Sequence, residues 1–295
     1  MFDYKLIEAM AEVVLEGGFE KAARKLHISQ SAVSQRVKLL EEQAGRVLMV
    51  RGNPPAATEV GQAMLKHYQQ VRSLENEVVE LLGGEGSHQF TSLSLGVNED
   101  SLATWFPRAV LPVLQRESIT VDLKVDDQEQ TLKYLKAGEV VGCISCHDKP
   151  IQGCSQFYLG GMEYRLVCAP GFYQQWFGSG FSDKGIACAP AVIFNRWDRL
   201  HHRMLELVVE EVPDSFPIHY VPSSEQFVRW IEQGLAYGAV PVLQLTDQLE
   251  QGTLMEMAPG NALVVPLYWH VWSHRSRLLT SFTEILISQA KNCLR

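Results

Sequence analysis

Polar side chains line one side of a helix in the stretch SQSAVSQRVKLLEEQAG, which begins at Ser29. Gln30, Ser31, Ser34, Gln35 and Lys38 recur at helical spacing, while Val33, Val37 and Leu40 form an apolar stripe on another face. Short hydroxyls and amides suit hydrogen bonds to base edges in a major groove, and Arg36 or the more distant Arg51 suits phosphate. An ordinary amphipathic surface helix also has a polar face, so the neighbouring elements must decide between the two readings.

A second set of residues could hold a small molecule. Glu99, Asp100, Asp126, Asp127, Glu129, Asp198 and Glu225 cluster where short strand-like runs give way to helices. Hydroxyls and free N–H groups at such junctions receive a carboxylate, which makes Ser101, Thr131, Ser223 and Ser224 candidates for the α-carboxylate of an amino acid. Acids at helix starts also have an everyday use as caps. Collectively they would favour a cation and repel a dicarboxylate, with one or more of Asp100, Asp127 and Asp198 expected near the cationic end of the ligand. No Walker loop, Rossmann glycine fingerprint, G-x-S-x-G elbow or H-E-x-x-H appears, so an enzyme reading lacks a motif.

Other reactive residue types read as structure. Cys143 and Cys146 form a C-x-x-C inside the strand-like VVGCISCH, where positions three apart face opposite ways, so reduced core thiols are expected and no metal. His201 and His202 diverge from neighbouring helix positions and read as solvated surface. Trp269 and His270 in PLYWHVW read as core.

The chain that must position these groups has 295 residues, enough for more than one domain. Residues 21–51 hold seven bases against two acids, whereas residues 91–295 hold 16 bases and 22 acids. A basic patch on an acidic protein fits a phosphate-binding module joined to a different domain. No run approaches the roughly 18 apolar residues of a membrane span, and MFDYKLIEAM is not a secretory signal, so a cytoplasmic protein without membrane partners is expected.

Three short helices are expected first. Asp3 caps a helix with Leu6, Met10 and Val13 inward, the small Ala22-Ala23 pair lets a second helix close on the third, and Gly45 stops the third. The run VLMVRGNPPAAT then reads as a small wing with Arg51 at its tip. From Thr58 to about Leu82, positions 60, 64, 67, 71, 74, 78 and 81 follow a 3.5-residue repeat broken only by His67, which calls for a partner helix. The following GGEGSH favours pairing with a second copy over an intramolecular partner. After Ser92, LSLGV, VDLKV, VVGCISC, YRLVCAP, AVIFN, IHYV and YGAVP alternate with helical segments, which predicts a mostly parallel α/β sheet with ligands beyond the strand ends.

Residues 19–61 resemble the N-terminal domain of the LysR-type transcriptional regulators, through the pattern AA-x-x-L-x-x-SQ-x-AVS-x-x-V-x-x-LE-x-x-x-G. The double proline before Thr58 and the downstream VNEDSLATWFP resemble the arginine- and lysine-responsive branch of that family. The resemblance implies a winged helix-turn-helix over residues 1–58, a dimerisation helix and hinge over 59–89, and an effector domain over 90–295. It implies that the last is built like a small periplasmic binding protein, with subdomain I at 90–163 and 266–295 and subdomain II at 164–265. Double-stranded DNA, a second copy through helix 58–82 with a tetramer beyond it, RNA polymerase, and L-lysine or L-arginine as effector are the implied partners, with no cofactor. A basic amino acid exporter gene is the implied target. Asn195 departs from the branch, where an aspartate is expected. The alternative to a ligand-responsive regulator is an architectural or replication-modulating DNA protein, for which an effector domain has no use.

Overall fold

The computed structural model describes residues 3–81, 90–273 and 275–295. It opens on α1 (Tyr4–Leu15), where the Asp3 carboxylate accepts from the Lys5 N–H at 3.0 Å. Then come α2 (Phe19–Lys25) and α3 (Gln30–Ala44). Ser29 caps α3 by accepting from the Ala32 N–H at 3.2 Å, and Gly45 ends it in the left-handed region. Val33, Val37 and Leu40 are buried with Ile7, Met10 and Val13 of α1, and Ala22 and Ala23 let α2 pack close. The wing is the antiparallel pair β1 (Met49–Val50) and β2 (Ala56–Ala57). Glu41 of α3 accepts from the N–H groups of Leu48 and Met49 at 2.9 and 3.3 Å, so the wing is tied to the helix it flanks.

The long helix α4 (Glu59–Leu81) begins at Thr58, whose hydroxyl accepts from the Gly61 N–H and donates to the Val47 carbonyl. It has two working faces. Leu65 and Tyr68 are buried in the three-helix core, whereas Leu74 and Val78 are 53% and 54% exposed on the expected seam. His67, which breaks that seam, hydrogen-bonds the Tyr4 hydroxyl at 2.8 Å. The end of the expected helix at Leu82 and the GGEGSH hinge lie outside the described residues. Glu12, only 2% exposed, pairs with Lys25 of α2 at 2.9 Å and Arg72 of α4 at 3.0 Å, so one buried carboxylate holds three helices together.

The rest of the chain alternates. β3 (Thr91–Asn98), α5 (Glu99–Ala103), α6 (Phe106–Arg116), β4 (Ile119–Asp126), α7 (Leu132–Ala137) and β5 (Gly142–Ser145) come first. Then follow β6 (Cys154–Cys168), α8 (Pro170–Phe177), α9 (Asp183–Cys188), β7 (Ala191–Ile193), α10 (Leu200–Val208), β8 (Ile218–Tyr220) and α11 (Ser224–Glu232). β9 (Gly238–Pro241), α12 (Thr246–Glu250), β10 (Met255–Glu256), β11 (Leu263–Trp272) and α13 (Arg277–Cys293) complete it.

Among the described residues the main sheet runs β10-β6-β11-β5-β3-β4, with β9 also on β6, while β7 and β8 form a separate parallel pair. The expectation of a mostly parallel sheet needs correction. β3 pairs in parallel with β4 and β5, but β6 and β11 run antiparallel to each other and to their further neighbours. YRLVCAP covers only the last part of the 15-residue β6, whose first half, CSQFYLGGM, lacks clean alternation. The boundary at 163/164 falls inside β6 and that at 265/266 inside β11, so continuous strands cross from one half to the other. The ladder between them is irregular at Leu267/Tyr268, beside Gly160 with φ of +139°; a β-carbon there would stand 2.5 Å from Leu294 Cβ.

Two smaller expectations also change. His201 is buried, stacked beside Phe216 and Tyr237, while His202 keeps the solvent-facing place. Of the six thiols, all free, Cys143, Cys154 and Cys168 are in the core, but Cys188 is exposed. Trp269 and His270 are buried as expected, the indole N–H donating to Thr283 at 3.2 Å.

Glu12→Ala should destabilise the helical unit by about 1–3 kcal/mol, between the values for exposed and for fully buried pairs, because Lys25 and Arg72 are themselves half-exposed. Urea unfolding followed by circular dichroism measures it; no change in midpoint would show that the three helices do not rely on this carboxylate.

Candidate functional site

The first candidate surface is the outer face of α3. Gln30, Ser31, Gln35 and Lys38 are exposed, and Ser34 and Arg36 are half-buried. Ser31 shares a 2.9 Å hydrogen bond with the capping Ser29, and Lys38 reaches Glu42 at 3.7 Å in a solvent-exposed pair that a phosphate could easily displace. Arg51 is exposed just beyond β1, on the side chain row of the wing. The buried stripe of Val33, Val37 and Leu40 fixes which way these side chains face.

The second is a cleft with about 460 Å³ of free space, part of it open to solvent. Asn98, Glu99, Asp100, Asp126, Asp127 and Gln128 line it from the ends of β3 and β4, Phe194 and Asp198 from beyond β7, and Ser224, Phe227, Pro241 and Gln244 from α11 and β9 onward. Carboxylates that arrive from separate strand ends thus share one space.

Each acid is held differently. Asp100 accepts from the Ser224 hydroxyl at 2.6 Å and from the buried Tyr164 hydroxyl at 2.7 Å. Asp127, which is 7% exposed, accepts from the Glu129 N–H at 2.8 Å. Asp198 accepts from the Leu200 and Phe194 N–H groups at 2.8 and 3.4 Å. Asn195 accepts from the N–H groups of Trp197 and Asp198, so its amide shapes the turn that presents Asp198. Asp126 is different: Lys133 at 2.6 Å and the Tyr134 hydroxyl at 2.9 Å already engage it, and they hold its carboxyl below the usual range despite burial.

No lysine or arginine among the described residues plays that part for the other three. Burial, and then mutual repulsion, pushes the Asp127 carboxyl up to about 7, while burial above all lifts Asp198 to about 6. Burial also raises Asp100, against the opposing hydrogen bonds from Ser224 and Tyr164, and raises Glu99, against the Ser224 N–H. The arrangement can take up a cation and stabilise it by releasing the carboxylates from one another.

Two family models cover the chain. Residues 4–62 match the bacterial regulatory helix-turn-helix protein, lysR family, and residues 87–291 match the LysR substrate binding domain. This is a LysR-family protein. It belongs to the ArgP branch: the HTH-type transcriptional regulator ArgP of Pseudomonas fluorescens is 43% identical over 297 residues, covering 100% of this chain and 99% of that one. The crystal structure of ArgP from Mycobacterium tuberculosis matches with a TM-score of 0.84 at 32% identity, over 100% of this chain and 99% of that chain. Full-length LysG from Corynebacterium glutamicum with bound effector Arg matches at 0.77 and 31%, over 100% of both chains. LysR-family proteins are DNA-binding transcription regulators, not enzymes, and the fold is the family's helix-turn-helix followed by its α/β effector domain.

In this LysR-family chain, Asp100, Asp127, Asp198 and Ser224 come together in the cleft, and Ser101, Thr131 and Ser223 do not line it. Their hydroxyls are already used. Ser101 is fully buried and accepts from the Trp105 indole at 3.0 Å, Thr131 donates to the Ile144 carbonyl at 2.6 Å, and Ser223 caps α11 through the Gln226 N–H. Sequence reasoning missed Asn98, Gln128, Tyr164 and Gln244. Asn98 and Gln128 sit within the strand-to-helix junctions that were singled out, so an amide among acids was the available signal; Tyr164 and Gln244 are far from Asp100 in sequence and gave none.

These raised values carry a definite sign. A free aspartate has lost its proton by about pH 5, whereas in the folded cleft Asp198 holds its proton to about 6 and Asp127 to about 7. The folded chain binds more protons across that window, so this contribution to stability is present in acid and is lost as pH rises through about 6 to 7. The melting temperature of the ligand-free chain should therefore fall more steeply between pH 5 and pH 8, at roughly constant ionic strength, than that of Asp127→Asn. Parallel profiles for the two proteins would mean that Asp127 titrates normally.

Proposed function

We propose that this regulator senses a basic amino acid, lysine or arginine, in the cleft and couples its occupancy to operator binding by α3 and the wing. One observation carries the reading: Asp100, Asp127 and Asp198 are gathered around one cleft with no cationic partner among the described residues. Such a set attracts a ligand cation and repels a dicarboxylate. The bound arginine of LysG, a protein similar over its whole length, supports the same ligand class. In this reading the side-chain cation lies between Asp127 and Asp198. Strands β6 and β11 join subdomain I to subdomain II, so a ligand between the halves can bias how they sit.

For DNA, Gln30, Ser31, Ser34, Gln35 and Lys38 would face the major groove, with Arg36 and Arg51 on phosphate. The exposed Leu74 and Val78 would pair with the same helix of a second copy, giving the two half-site readers that family members use, with a tetramer built from such dimers. A basic amino acid exporter gene is the target that the branch implies, and RNA polymerase the partner through which it would be controlled.

Calorimetric titration with lysine, arginine, norleucine and glutamate tests the ligand. Lysine or arginine should bind at least about tenfold more tightly than norleucine, which lacks the side-chain ammonium and leaves buried acids unpaired. Norleucine or glutamate binding as tightly as lysine would sink the reading, and no binding by any of them would favour the architectural alternative.

On DNA, Gln35→Ala should weaken binding to the cognate site by about 1–3 kcal/mol and leave random-sequence binding nearly unchanged. Equal losses on both would make Gln35 a backbone contact. Leu74→Asp should shift the protein toward monomer in light scattering and lower operator affinity sharply. A monomeric unaltered protein at micromolar concentration would rule out pairing through α4.

A further inference from the structure

Acidity alone does not make this cleft an amino-acid site. A diamine carries two positive charges and no carboxylate, so a pocket that worked only through Asp100, Asp127 and Asp198 would hold cadaverine at least as well as lysine. Something must receive the carboxylate, and only hydrogen-bond donors can. On the cleft wall the polar donors are Asn98, Gln128, Ser224 and Gln244, together with backbone N–H groups.

Ser224 has its donors engaged: the hydroxyl lies 2.6 Å from Asp100 and 3.1 Å from the Gln244 amide oxygen, and its N–H faces Glu99 at 3.4 Å. Gln128 and Gln244 each accept from a hydroxyl through the amide oxygen, Tyr164 at 3.4 Å for the first and Ser224 for the second, which leaves their amide N–H groups as further donors. Asn98 differs from both in having neither end engaged. It is 1% exposed, it lines the cleft, and neither its Oδ1 nor its Nδ2 has a hydrogen-bond partner.

The ordinary explanation for an asparagine at this position is helix capping, since Asn98 stands at the N-cap of α5. Its side chain makes no capping hydrogen bond. A buried amide with both ends unpaired is a standing penalty that a bound partner removes. The amide offers one acceptor beside one pair of donors, which matches the adjacent ammonium and carboxylate of an α-amino acid. The parallel register fixes its place, because Asn98 lies opposite Asp126 at the end of the β3–β4 ladder, one residue from both Asp127 and Glu99 in the two chains of the wall.

We propose that Asn98 reads the α-amino-acid end of the ligand, Nδ2 donating to the carboxylate and Oδ1 accepting from the α-ammonium, so that the cleft requires a free zwitterionic basic amino acid and rejects the corresponding diamine. This rests on the acidic-cleft reading above and adds a demand that the acids cannot supply. It also makes Asn98 a specificity residue: the acids select the cationic side chain, and the amide selects what stands at the other end.

The test is calorimetric titration of the full-length protein with L-lysine, cadaverine and Nα-acetyl-lysine, in the unaltered chain and in Asn98→Ala and Asn98→Asp. Lysine should bind at least about tenfold more tightly than cadaverine or Nα-acetyl-lysine to the unaltered chain. Asn98→Ala should lose at least about tenfold for lysine and little for cadaverine, which collapses the preference. Asn98→Asp keeps the shape and an acceptor but replaces the donor with a further carboxylate, so it should favour cadaverine over lysine. Melting temperatures within a few degrees of the unaltered chain check that both variants fold; Asn98→Asp, being isosteric, carries the test if Asn98→Ala does not. Cadaverine binding as tightly as lysine, or a lysine-to-cadaverine ratio untouched by both substitutions, overturns the role of Asn98 and leaves the acidic cleft standing. If neither lysine nor cadaverine binds, the acidic-cleft reading fails and this proposal fails with it.

Discussion

Carboxylates taken out of water near one another repel, and the effector half of this chain is arranged around that repulsion. Asp100, Asp127 and Asp198 come from three different places in the sequence, and each is stabilised by neutral donors and by no described lysine or arginine. Tyr164 and Ser224 serve Asp100, and backbone N–H groups serve the other two. Neutral donors soften the burial of a charge without cancelling it, so burial raises all three carboxyls, Asp127 to about 7 and Asp198 to about 6. Asp126, one residue away, shows the contrast: with Lys133 at 2.6 Å its carboxyl sits below that range. The cleft therefore gathers three acids with no cationic partner among the described residues.

The placement of these groups depends on two long strands of the main sheet. β6 carries Tyr164 and pairs along its length with β11, while β9 and β10 add to its far end and β5 and β3 continue the sheet beyond β11. The irregular register near Gly160 and Leu267 lies on the β6–β11 pairing, where the chain's last residues also pack, Arg295 exchanging backbone hydrogen bonds with Gly161.

At the other end a second buried acid has the opposite treatment. Glu12 is as enclosed as any carboxylate of the cleft, but Lys25 and Arg72 neutralise it, and the result is a rigid joint among α1, α2 and α4. The same helix α4 then shows Leu74 and Val78 to solvent. One element thereby serves the DNA-reading core with one face and presents an unpartnered apolar seam with the next, which is possible because a helix of this length turns through several faces.

The helical unit was legible because its determinants are local. Caps at Asp3 and Ser29, the stop at Gly45 and the Val33-Val37-Leu40 stripe act within a few residues, and the helices follow them closely. The strand ends and their acids were legible for the same reason. What the sequence did not carry was direction and company. Strand polarity in β6 and β11 is set by pairing between residues about a hundred positions apart, and no local pattern distinguishes a parallel from an antiparallel partner. Ser101 and Thr131 have the composition of ligand contacts, yet folding turns one hydroxyl toward Trp105 and the other toward the Ile144 carbonyl. Asn98 has the composition of a cap and is left unbonded facing the cleft. Residue type and spacing determine which groups can bind; only the packed chain decides which of them have already spent their hydrogen bonds, because each group has a limited hydrogen-bonding capacity and its partners are chosen by tertiary contact.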